Sequence, residues 1–114
     1  MTCAWTTINT KFTADVKISR FEFPSNAKPE SRISVMCSTV SGKPPFQFEW
    51  LRNGIPLEKN ERVYVVSTED FSTLTFRHLK IEDGANYTCI ARSREGMDAF
   101  TARLRMKCKS GAKF

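Results

Sequence analysis

Asp83-Gly84-Ala85-Asn86-Tyr87-Thr88-Cys89 is the stretch on which the fold turns. Tyr87, Cys89 and Ala91 fall on one side of an extended chain and Thr88, Ile90 and Arg92 on the other, the period of a half-buried strand. Outward from it the alternation recurs. Toward the N-terminus, Thr73, Thr75 and Arg77 oppose Leu74 and Phe76, and Val63 to Val66 is a β-branched and aromatic run. Phe46, Phe48 and Trp50 oppose Gln47 and Glu49, and Ile33, Val35 and Cys37 oppose Ser34, Met36 and Ser38. Toward the C-terminus, Ala102, Leu104 and Met106 oppose Arg103, Arg105 and Lys107. Ser41-Gly42-Lys43-Pro44-Pro45, Asn53-Gly54 and Glu95-Gly96 punctuate these runs, and Asn-Gly suits a tight hairpin turn. No stretch of ten or more residues holds a helical period. Short strands at this spacing predict an all-β, antiparallel two-sheet sandwich or barrel.

Composition narrows the class. At 114 residues the chain holds one ordinary domain, and 40% apolar with 26% charged residues is the make-up of a folded protein. No run approaches the ~18 apolar residues of a membrane span. No apolar segment follows a basic start, so no signal peptide is read at the N-terminus. The period is confined to residues 15–107; residues 1–14 and 108–114 are patternless and are read as non-domain segments. Lys11, Lys109 and Lys113 fall in those segments, so the net charge of +6 drops to +3 over the domain. The chain holds no glycine-rich phosphate loop, nucleophile motif or Cys-x-x-Cys pair. Its lone histidine, His78, cannot complete a usual metal set, so no enzyme activity, metal or cofactor is expected. The four cysteines leave a disulfide and free thiols open.

The spacing of Cys37, Trp50, Asp83, Tyr87 and Cys89 resembles the immunoglobulin superfamily over the whole of residues 15–107. That resemblance implies an immunoglobulin-like sandwich with one inter-sheet disulfide between Cys37 and Cys89, on which Trp50 packs. It also implies a tyrosine corner in which the Tyr87 hydroxyl reaches back to backbone, and an Arg62–Asp83 pair. The short distance between the run at residues 46–50 and the run at residues 63–66 leaves no room for extra C′ and C″ strands and favours the I-set type over a variable-type domain. A disulfide implies an oxidising compartment, which suits the triplet Asn86-Tyr87-Thr88 as a glycosylation acceptor, with Asn86 outward because Tyr87 points in.

Ile18-Ser19-Arg20-Phe21-Glu22-Phe23-Pro24, residues 32–38 and the stretch SGKPPFQFEWLRNG over residues 41–54 are similar to variable immunoglobulin domains of the arthropod Down syndrome cell adhesion molecule (Dscam) family. The resemblance implies an extracellular module of a larger, membrane-tethered surface receptor. Such modules adhere homophilically, docking antiparallel on an identical copy from an apposed cell through the sheet lettered A-B-E-D, in neural self-recognition and immunity. On that sheet the outward set is expected to be Ser34, Met36 and Ser38, then Tyr64 and Val66, then Thr73, Thr75 and Arg77. It is a face poor in charge, as interface centres are. The other sheet is expected to carry a basic stripe of Arg92 and Arg94 on one strand and Arg103, Arg105 and Lys107 on the next. A solvated face is its plain reading, and a heterophilic or heparan-binding receptor site the functional one. No aromatic residues interleave with these arginines, which speaks against nucleic acid. A structural intracellular I-set module of the muscle type is the third class. Cys3 and Cys108 flank the domain without assigned partners.

Overall fold

The computed structural model describes residues 16–106. Residues 1–15 and 107–114, with Cys3, Cys108 and Lys107 of the basic stripe, lie outside the described residues. Eight strands follow one another: β1 (Lys17–Ile18), β2 (Ile33–Ser41), β3 (Gln47–Arg52), β4 (Ile55–Pro56), β5 (Val63–Ser67), β6 (Phe71–Phe76), β7 (Ala85–Ser93) and β8 (Gly96–Leu104). A 3₁₀ turn, Ile81–Asp83, leads into β7. The strands form two four-stranded sheets, β1-β2-β6-β5 and β4-β3-β7-β8, paired antiparallel throughout.

The alternation in the sequence becomes the core. Val35 and Cys37 of β2, Val63 of β5, and Leu74 and Phe76 of β6 face Trp50 of β3, Tyr87, Cys89 and Ala91 of β7, and Leu104 of β8. Facing apolar sides of two sheets must meet, because neither can be left in water. The Cys37–Cys89 disulfide crosses between the sheets with its Cα atoms 6.5 Å apart. Its fully buried neighbour Ser72 accepts the indole N–H of Trp50 at 2.8 Å and shares a hydroxyl contact with Ser67 at 2.7 Å. The indole therefore keeps its hydrogen bond inside the core. Between β1 and β2 a segment bridged to Met106 at Ala27 closes the side of the sandwich with two aromatic anchors. Phe21 sits 5.6 Å from Trp50 and 5.0 Å from Phe100, and Phe23 sits 5.5 Å from Tyr87, centroid to centroid.

Three details differ from the sequence expectation. The expected lack of room beyond the run at residues 46–50 is corrected: Asn53 (φ 50°) and Gly54 (φ 83°) turn the chain into the two-residue strand β4, which pairs with Leu51 and Arg52. Two residues are too few to show a period, but the Asn-Gly turn foretells a returning strand. The last strand begins at Gly96, well before the alternation at Ala102, because β7 and β8 are joined by a tight hairpin in which Ser93 pairs with Gly96. Arg94 consequently lies in that turn and not on a strand.

Candidate functional site

At the corner before β7 four groups are locked together. The Tyr87 hydroxyl donates to the Asp83 carbonyl at 2.6 Å. The Arg62 guanidinium grips the Asp83 carboxylate through both Nη atoms, at 2.6 and 3.1 Å, and donates also to the His78 carbonyl at 3.0 Å. The Lys80 N–H completes the set on Asp83 Oδ2 at 2.8 Å. Hydrogen bonding to Asp83 raises Arg62 above its ordinary value, and burial pushes the Tyr87 phenol up to about 12. Arg52, which sequence reasoning passed over, reaches into this corner and donates from Nη2 to the Glu82 carbonyl. It helps line a cleft of about 330 Å³ with Arg62 and Tyr87. The bonds made by Arg62, Asp83 and Tyr87 hold the turn, which makes the corner a structural fixture, while Arg52 Nε is buried there with no hydrogen-bond partner among the described residues.

The outer face of β1-β2-β6-β5 has a different character. Cross-strand register aligns Ser34, Thr75 and Tyr64 in one row and Met36, Thr73 and Val66 in the next. Met36 is 52% exposed and Val66 53%. Thr75 corrects the expectation of an exposed residue: it points outward yet is only 4% exposed. Its hydroxyl meets that of Ser34 at 2.9 Å, and Tyr64 flanks it on the other side. Arg77, the one charge of the expected set, lies with its guanidinium 4.7 Å from the centroid of the Tyr64 ring. Two residues extend the face beyond the sequence reading. Val40, 65% exposed, follows Ser38 by two positions, and half-buried Phe71 pairs with Ser38. The period of two pointed to both.

The outer face of β4-β3-β7-β8 does not carry the expected continuous basic stripe. Arg92 is paired with Glu49 at 3.0 Å on neighbouring β3. Arg103 donates to Asn86 Oδ1 at 3.3 Å, with exposed Arg105 beyond the end of β8. Between these ends lie Ile90, Ala99, Leu51, Thr88 and Thr101. Arg92 and the Arg103 position are six residues apart along β7, roughly 20 Å, beyond the ~8 Å screening length of physiological salt. The candidate anionic-ligand residues Arg92, Arg94, Arg103 and Arg105 are thus divided between the two ends of the sheet.

Comparison with known proteins follows the same lines. The family model of the immunoglobulin I-set domain matches residues 16–106. The chain is 34% identical over 82 residues to cell adhesion molecule Dscam2 of Drosophila melanogaster, covering 68% of this chain and 4% of that protein. It is 35% identical over 81 residues to myotilin of Mus musculus, covering 70% of this chain and 16% of that one. The chain thus spans only a small part of the length of these curated relatives. Among solved structures, the Dscam1 Ig7 domain, isoform 5, superposes with a TM-score of 0.74 at 20% identity over 81% of this chain and 96% of that one. Titin M4 gives 0.71 at 18% identity over 81% of this chain and 95% of that one. At such identities these superpositions show the fold alone. With the family model across all the described residues, the inter-sheet disulfide and the locked tyrosine corner, the chain belongs to the immunoglobulin I-set family, in a form that resembles Dscam domains.

Proposed function

We propose that the chain is an extracellular recognition module of a cell-adhesion receptor, and that it binds a second copy of itself through the outer face of β1-β2-β6-β5. The observation that carries this reading is the face itself. Met36 and Val40 on β2, and Val66 on β5 across the intervening β6, are half or more exposed, amid small hydroxyl residues, with one arginine held against a tyrosine. A charge-poor face with Tyr and Met has the composition of an interface centre. A surface without strong charge of either sign can also meet its own image about a two-fold axis without repulsion, as a self-complementary contact requires. The similarity to Dscam2 supports the cell-surface setting. Sedimentation of the chain at rising concentration is the test. The expected result is a monomer–dimer equilibrium that Tyr64→Asp weakens about tenfold or more, because the ring is lost from the face and a carboxylate is desolvated in its place. A strict monomer, or a dimer indifferent to Tyr64→Asp, defeats the reading.

The competing class is the intracellular structural module, and the similarity to myotilin is the observation on its side. The oxidation state of Cys37 and Cys89 in protein from its native source separates the two. A disulfide places the chain in an oxidising compartment, and free thiols place it in a reducing one.

A further inference from the structure

Asn86-Tyr87-Thr88 is the one Asn-x-Ser/Thr triplet in the chain, and its middle residue is not proline. The fold presents it in the form an acceptor needs. Tyr87 is buried, so Asn86 and Thr88 point together to the outer face of β4-β3-β7-β8, and Asn86 is exposed. Asn86 is tied into the sheet through atoms that glycosylation leaves alone. Its backbone N–H donates to Asn53 Oδ1 at 3.0 Å, its carbonyl accepts from the Asn53 N–H at 2.8 Å, and its Oδ1 accepts from Arg103 Nη1 at 3.3 Å. Its Nδ2 donates to no described residue. Nδ2 is the atom that N-glycosylation uses, so a sugar attached there breaks none of these bonds.

We propose that Asn86 is an N-glycosylation site, occupied when the chain passes through the secretory compartment; the proposal rests on the extracellular reading above. In the transfer, a bond forms between C1 of the first sugar and Nδ2. The bond between C1 and the diphosphate of a lipid-linked oligosaccharide donor breaks, the Nδ2 proton passes to a base, and the lipid diphosphate leaves. No oxidation or reduction occurs. β7 is hydrogen-bonded on both sides, to β3 and to β8, so its backbone is closed to a transferase once the sheet has formed. Transfer therefore precedes the closing of this sheet. In the folded domain the first sugar stands beside Arg103, and one row, roughly 7 Å, from Leu51, Thr88 and Thr101. That sheet would then be withheld from protein contact while the opposite one stays bare.

The test is expression of the full chain behind a secretion signal in eukaryotic cells, with intact-mass and peptide measurements before and after peptide-N-glycosidase. The expected result is one glycan per chain, removed by the enzyme with conversion of Asn86 to aspartate, and absent from both Asn86→Gln and Thr88→Ala. Where a chain is retained in the cell, occupancy is read on the retained form. A disulfide-bonded chain with unmodified Asn86 overturns the proposal and leaves the extracellular reading standing. Free Cys37 and Cys89 thiols in protein from its native source overturn that reading and, with it, the modification of the native protein.

Discussion

Tyr87 shows how much one side chain carries in this fold. Its ring packs 5.5 Å from both Phe23 and Phe76, centroid to centroid, and its hydroxyl donates to the backbone carbonyl at the Asp83 corner. Tyr87→Phe keeps the ring and leaves that carbonyl without its donor, so stability falls by about 1–2 kcal/mol, read as a lower urea midpoint with unchanged slope. The phenol also sets an alkaline limit. Its value is raised to about 12 in the fold against about 10 in an unfolded chain, so the contribution is complete below pH 10 and is lost as pH rises toward 12. The unfolded state gives up the proton first, and Tyr87→Phe removes this share of the alkaline decline. Residue-scale roles of this kind were legible because tyrosine, two positions ahead of a cysteine on one strand face, is a local pattern. The partner of Trp50 was not. Ser72 lies on another strand, and nothing within β6 marks one inward serine as an indole acceptor.

At the scale of elements, strand faces followed from a period of two, while strand ends and cover depended on neighbours. Thr75 shows the limit: its outward direction is set by Leu74 and Phe76 beside it, but its burial is set by Ser34 and Tyr64, which reach it from two other strands. Arg94 shows another, since only the pairing of Ser93 with Gly96 decides that the strand stops short of it. The broken basic face has the same origin: alternation put the arginines on one side, and cross-strand neighbours Glu49 and Asn86 divided them. The β3–β4 turn is an element whose sequence dictates its shape. Gly54 holds φ 83° with open space where a Cβ would stand, so Gly54→Ala meets backbone strain and no clash. The expected cost is about 1 kcal/mol in thermal or denaturant unfolding, and Gly54→Asn, which tolerates the left-handed region better, costs less.

For the whole molecule the Cys37–Cys89 bridge dominates, closing a loop with a sequence separation of 52 residues. Constraint of the unfolded chain by a loop of that length is worth about 4 kcal/mol. The paired Cys37→Ala/Cys89→Ala variant is therefore expected to lose a large fraction of the stability of a domain this size, measured by calorimetry against the oxidised chain. The bridge has a further consequence when the domain is pulled. The described chain comes in on β1, paired near the far end of β2, and leaves on β8 beside Ala85, at the opposite end of the sandwich, so tension runs along its length. Stretched from those two points, an oxidised domain pays out only the segments before Cys37 and after Cys89. Reduction frees the enclosed loop as well, adding roughly 180 Å of extended chain. The redox state of one bond thus decides whether the domain behaves under load as a short tether or a long one.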